Sequence, residues 1–144
     1  MESVEFVLQM SGLCYLVNAS VDDVRRKRID ARILAIFFAV SLVIICVGRL
    51  GLLSHERLLG MIPGGILLCI SRLSKEAIGI GDATVVLWLG YLGGIWFCLN
   101  SLMIAWSFCF CMALGMFVMG KKQAIPFLPF LCTGYFLSLY ALYV

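Results

Sequence analysis

Apolar runs occupy nearly the whole chain, and short charged or glycine-rich breaks separate them. A helix that crosses a bilayer needs about 20 mostly apolar residues, so runs of this length predict membrane-spanning helices. The sequence contains six candidates, at residues 4–21, 33–53, 58–73, 83–99, 102–119 and 125–144. We therefore expect an all-α polytopic membrane protein with about six transmembrane helices.

The scarcity of charge supports this prediction. Hydrophobic residues make up 63% of the 144 residues and charged residues only 13%, whereas soluble domains usually carry about 25% charged residues. A soluble globule of this size could not bury so much apolar surface. The composition excludes a cytosolic domain, a disordered chain and a small disulfide scaffold, and we expect residues 1–144 to form a single membrane-embedded domain.

The fourth and fifth runs are almost continuous. As one helix, the 37 residues from 83 to 119 would measure about 55 Å, nearly two hydrocarbon cores. The chain must turn within this stretch, and the polar pair Asn100-Ser101 predicts the place.

Two pairs of glycines have the spacing that lets helices approach closely. They are Gly60 with Gly64 and Gly90 with Gly94, each a G-x-x-x-G pattern. We interpret both as packing sites within one chain rather than as dimer motifs, and the sequence leaves the oligomeric state open.

The basic residues predict the orientation in the membrane. Alternate loops carry nine of the eleven basic residues, namely Arg25, Arg26, Lys27, Arg28, Arg32, Arg72, Lys75, Lys121 and Lys122. Because cytoplasmic loops are enriched in Lys and Arg, this face should be cytoplasmic and both termini extracytoplasmic. We expect a multi-pass protein of the cell membrane, and the net charge of +3 is too small to indicate a nucleic-acid partner.

The cysteines do not form a recognisable ligand set. There are seven, an odd number, with no C-x-x-C pattern, and nearly all lie inside apolar runs. The single histidine, His55, is far along the chain from any cysteine pair. We expect neither a disulfide framework nor a metal site or cofactor.

Two aspartates on the predicted cytoplasmic face stand out among the acidic residues. Asp82 follows Gly79-Ile80-Gly81 directly before an apolar run, and Asp23 ends the first run. The glycines permit close backbone approach and positive φ. Asp82 is alternatively a helix N-cap, and Asp23 a counter-charge to residues 25–28.

Ionisable groups beside apolar helices are costly and therefore indicate function. Two adjacent carboxyl groups share a proton, so one can act as a base on water while the other donates to a carbonyl oxygen, as in aspartic proteases. Because Asp82 begins a helix and Asp23 lies near a helix end, the helix dipoles predict that Asp82 ionises more readily and Asp23 more often holds the shared proton.

Three blocks of sequence resemble the type IV prepilin peptidases, the membrane aspartic proteases with a GxGD motif. The first runs from Asp23 through the basic cluster to Ile29, and the second from Met61 through Pro63-Gly64-Gly65 to Asp82. The third covers 121–131, with Gly134 following, so the resemblance spans roughly residues 20 to 135. The chain resembles the short, peptidase-only branch, as in Tad/Flp-type prepilin peptidases and archaeal preflagellin peptidases.

The resemblance implies that Asp23 and Asp82 are the catalytic pair and that Gly79 and Gly81 support the motif. Asp22 is the rival for the first position, but the six-residue step to Ile29 favours Asp23. The implied reaction removes a short basic leader from a pilin-like precursor at the cytoplasmic face. Because the family's domain with paired C-x-x-C motifs is missing, we expect no N-methyltransferase activity.

Two departures from the family pattern keep other functions open. Asp30 stands where the family usually has proline, and Thr84 where it usually has lysine. One alternative is a catalytically impaired relative that acts as a membrane assembly factor. Another is a proton- or ion-coupled carrier, although such sites usually lie at the bilayer midplane rather than at one face.

Overall fold

The computed structural model describes residues 2–26, 31–47, 54–74, 79–120 and 125–143. Their backbone forms five helices: α1 (Glu2–Arg26), α2 (Ala31–Val47), α3 (His55–Leu73), α4 (Ile80–Val118) and α5 (Leu128–Tyr143). Within these ranges no strand occurs, and the predicted all-α class is confirmed.

By length and composition, two of these helices qualify as candidate membrane spans, Val4–Asp23 and Ile80–Val118, although the second is divided at Gly94. Residues Ile33–Val47 and Leu128–Tyr143 form shorter apolar helices. The total of six spans and the extracytoplasmic position of both termini stay predictions.

Helix α4 reverses direction at Gly94. This residue has φ 79° and ψ 176°, outside the helical region, and divides α4 into a first limb (80–93) and a second limb (95–118). The Cys98 sulfur lies 3.9 Å from the Val86 carbonyl oxygen, 12 residues earlier, whereas a straight helix of that length would separate them by about 18 Å. The limbs are therefore antiparallel, and the described chain contains six helical segments.

The predicted turn at Asn100-Ser101 is wrong in position. Ser101 is buried within the second limb, and its hydroxyl donates a hydrogen bond to the Phe97 carbonyl oxygen at 2.9 Å. A serine hydroxyl inside a helix can donate its hydrogen bond to a backbone carbonyl one turn earlier, so a pair of polar residues need not end the helix. The φ and ψ of Gly94 belong to a region that is essentially restricted to glycine, which explains why the reversal occurs there.

Helix α3 packs against the first limb of α4 through glycines. A Cβ atom at Gly60 would overlap the Gly90 carbonyl group, and one at Gly64 would overlap the Leu87 backbone. The interpretation of the G-x-x-x-G pairs as packing sites within the chain is confirmed. Pro63 lies inside α3 without ending it.

The main core joins α1 to α4 and α5. Its most buried side chains include Tyr15 and Leu16 of α1, Val86 of α4, and Leu131 and Tyr135 of α5. The Tyr135 hydroxyl donates to the Gln9 carbonyl oxygen at 3.2 Å. These contacts make α1 and α5 antiparallel, so the end of α1 lies beside the start of α5.

Candidate active site

The first turn of α4 carries Asp82. Gly79 is the N-cap residue, with φ −58° and ψ 127°, and Asp82 is the third residue of the helix. The interpretation of Asp82 as the N-cap is therefore wrong. Its carboxyl group bends back towards Gly79, where an added Cβ atom would lie 3.1 Å from Oδ2.

The two motif glycines do not use the conformational freedom that the sequence suggested. Among the described glycines, only Gly94 and Gly120 have positive φ. Gly79 instead leaves space for the Asp82 carboxyl group, and Gly81 is half-buried within the first turn of α4.

Asp23 lies near the end of α1, against the start of α5. The backbone N–H of Leu128, the first residue of α5, donates a hydrogen bond to its carboxylate. Its Oδ2 atom is buried and has no hydrogen-bond partner among the described residues. The alternative role as a counter-charge to residues 25–28 concerns side chains outside the described part of the chain, as does Asp30.

The fold brings the two predicted aspartates together. The carboxyl groups of Asp23 and Asp82 are close enough to interact electrostatically. Asp23 shares one face of α1 with Ala19 and Tyr15, at steps of four residues, and both of these are buried in the core. Asp22 is rotated by about 100° from that face, so the helix geometry favours Asp23 for the pair.

A third helix end changes the expected asymmetry between the aspartates. The sequence places only the end of the first helix and the start of the helix after Gly79 beside the two aspartates. Because α5 also begins at the site and presents the Leu128 N–H to Asp23, both carboxyl groups lie at helix N-termini. The N-terminus of α5 therefore offsets the effect of the α1 C-terminus on Asp23, and the difference that the helix dipoles predict between the two aspartates becomes smaller.

A cavity of about 400 Å³ opens beside Asp82. Asp82 contributes the carboxyl group of its wall, and the other lining residues are Leu67, Gly79, Ala83, Trp106, Cys109, Ile125 and Phe127. Pockets of roughly 300–1,000 Å³ with apolar walls and few polar groups are typical binding sites. The cavity therefore suits an apolar stretch of polypeptide held against a carboxyl group.

Sequence reasoning missed the aromatic residues of this site. Trp106 belongs to the second limb of α4, and Phe127 directly precedes α5. Only the reversal at Gly94 brings Trp106 back to the level of Asp82. The position of Tyr15 could have been recognised from the sequence, because it lies eight residues before Asp23 and therefore on the same face of the helix. Within the described residues, no three His, Cys, Asp or Glu side chains are grouped as metal ligands.

A model of the type IV leader peptidase family matches residues 10–116, which are 107 of the 144 residues. The chain belongs to the type IV leader peptidase family. The resemblance found in the sequence is confirmed. Membership of this membrane-associated family supports a protease-type function for the chain. It also implies a pilin-like precursor as the substrate.

The matched range contains both aspartates, Asp23 and Asp82, and both motif glycines, Gly79 and Gly81. The third block of the resemblance, residues 121–131, lies outside it. No curated protein and no solved structure matches the chain.

Proposed function

We propose that the protein is an aspartic endopeptidase that removes the short basic leader from pilin-like precursors, with Asp23 and Asp82 as the catalytic pair. One observation carries the proposal. Two aspartates from distant parts of a leader peptidase chain interact electrostatically, and one of them, Asp82, lines an apolar cavity. Paired carboxyl groups are the machinery that peptide hydrolysis by water requires.

The reaction needs one ionised and one protonated carboxyl group. The ionised aspartate takes a proton from water as the water oxygen attacks the scissile carbonyl carbon. The other aspartate donates its proton to the carbonyl oxygen, which gives a neutral tetrahedral intermediate. When the C–N bond breaks, the leaving nitrogen takes up the proton gained from water, and the hydroxyl proton returns to the second aspartate.

The cavity suggests how the precursor binds. The apolar walls around Trp106 and Phe127 suit the apolar segment that follows a leader, and Asp82 then faces the scissile bond. The basic loops predict that this end of the bundle meets the cytoplasm. We infer that the precursor helix lies in the bilayer against the enzyme and presents its leader at the inner membrane surface.

The experiment is co-expression of the full chain with a candidate pilin precursor, followed by mass spectrometry of the precursor. The wild type should remove the leader, and both Asp23→Ala and Asp82→Ala should leave it in place. Glu56→Ala is the matched control, because Glu56 is an exposed carboxylate at the start of α3, remote from the pair. Processing that survives either aspartate substitution contradicts the proposed pair.

A membrane assembly factor is the second candidate, and Thr84 favours it. The Thr84 hydroxyl donates to the Ile80 carbonyl oxygen at 2.8 Å within its own helix, so it does not replace the function of a cation at this position. For this candidate, a strain that lacks the protein would regain assembled pili with the Asp82→Ala variant, although no leader is removed. The peptidase proposal predicts that this variant restores neither.

A further inference from the structure

Tyr15 carries a hydroxyl group that the fold buries without a partner. The residue is 1% exposed, and its oxygen has no hydrogen-bond partner among the described residues. Its ring packs against Phe37 of α2, with the ring centroids 4.8 Å apart. Because a buried polar group without a hydrogen bond destabilises a folded protein, such a group requires a specific explanation.

The position of Tyr15 relates it to both aspartates. Tyr15, Ala19 and Asp23 follow one another at steps of four residues along one face of α1. Tyr15 belongs to the same buried cluster as Ala83, the residue that follows Asp82 in the first turn of α4, and it interacts electrostatically with Asp82. Its hydroxyl is therefore a buried hydrogen-bond donor that interacts with the half-buried carboxyl group of Asp82.

We propose that Tyr15 is a positioning residue whose hydroxyl donates a hydrogen bond to the Asp82 carboxylate in the working enzyme. The bond leaves the other carboxylate oxygen facing the scissile peptide. This proposal rests on the function proposed above. Because only 1% of the residue is exposed, the hydroxyl acts through Asp82 and not by contact with the substrate. Catalytic hydrogen bonds are often long in a resting enzyme and shorten when the substrate binds.

The test uses Tyr15→Phe in the full-length protein, which keeps the ring and its packing on Phe37 but removes the hydroxyl. We expect kcat for leader removal to fall about 10- to 100-fold, the size of effect that follows from misplacing a reacting group. KM should stay unchanged, because the cavity walls that bind the precursor are untouched. A kcat equal to that of the wild type overturns the proposal, and so does a loss that appears only in KM.

Tyr135→Phe is the matched control. Tyr135 is also fully buried, and its hydroxyl donates to the Gln9 carbonyl oxygen at 3.2 Å, away from the aspartates. We expect this variant to retain the kcat of the wild type. An equal fall in kcat for both variants would show that the loss of any buried hydroxyl has this effect, and would overturn the assignment of Tyr15.

A second measurement does not depend on cleavage. A double-mutant cycle compares the unfolding temperatures of Tyr15→Phe, Asp82→Asn and the combined variant. Because Tyr15 already interacts electrostatically with Asp82 in the resting structure, the proposal predicts a combined shift that differs from the sum of the single shifts. Additive shifts overturn the positioning role of Tyr15, whereas a wild-type chain that cleaves no precursor, together with non-additive shifts, overturns the proposed function alone.

Discussion

The two ends of the helix bundle are built in different ways. Near Gly94, α3 meets the first limb of α4 backbone against backbone, and neither Gly60 nor Gly90 has room for a Cβ atom. At the other end, the end of α1 and the starts of α4 and α5 surround two half-buried carboxyl groups, and a cavity of about 400 Å³ lies beside Asp82.

This difference separates stability from chemistry. Close contact between glycines maximises packing but leaves no space for a substrate, whereas paired carboxyl groups beside a cavity weaken packing and, in the proposed function, supply the reactive groups. Substitutions near Gly94 should therefore change unfolding, and substitutions near Asp82 should change cleavage.

The largest effect is expected at the carboxyl end. Asp82→Asn should lower kcat for leader removal by roughly 10²- to 10⁴-fold, the usual contribution of a positioned acid or base. The unfolding temperature should change little, because the amide occupies the same space. Quantitative mass spectrometry of the precursor measures the first quantity and thermal unfolding in detergent the second. Glu56→Gln should change neither, and normal cleavage by Asp82→Asn would remove Asp82 from the mechanism.

The next effect concerns the glycine end. Gly64→Val should lower the free energy of unfolding by about 3 kcal/mol, near the upper end of the cost of overpacking, because the new side chain meets the Leu87 backbone. The adjacent Gly65 has no atom within 4 Å of an added Cβ, so Gly65→Val should leave the unfolding midpoint unchanged. Similar midpoints for the two variants would show that this interface is not tightly packed.

A smaller loss is expected at the reversal of α4. Gly94→Ala should cost about 2 kcal/mol of unfolding free energy, because side chains avoid its backbone conformation. Asn100→Ala should be neutral, since the chain continues as a helix through that residue. Thermal unfolding of the two variants, measured side by side, shows which residue lies at the turn. A larger loss of unfolding free energy in Asn100→Ala than in Gly94→Ala would indicate that the turn lies at Asn100-Ser101.

The smallest effect is expected at Gly79. An alanine there fits the backbone conformation, but its Cβ atom would lie 3.1 Å from the Asp82 carboxyl oxygen. A displacement of a few tenths of an ångström should lower kcat about tenfold, less than the roughly 100-fold cost of a 1 Å misplacement. Gly115→Ala, in open space on the same helix, should retain full activity. The measurement is kcat for leader removal by each variant. Equal kcat values would show that Gly79 is not needed to leave space for the Asp82 carboxyl group.

The sequence alone was sufficient for the helical class and the family, and it also led to the prediction of the aspartate pair. Runs of apolar residues permit only helices in a bilayer, since each backbone polar group must bond within its own segment. Few charges remain in such a chain, so Asp23 and Asp82 could be recognised next to apolar runs without any coordinates. The glycine spacing likewise indicated where α3 and α4 pack.

Only the tertiary structure decided the turn at Gly94, the contact of Asp23 with α5 and the burial of Tyr15. Each depends on groups that are distant in sequence: the Leu128 N–H reaches Asp23 because α1 and α5 are antiparallel, and Trp106 reaches the cavity because α4 folds back. Local patterns report which face of a helix is apolar, but the neighbour of a given side chain is set by how whole helices pack.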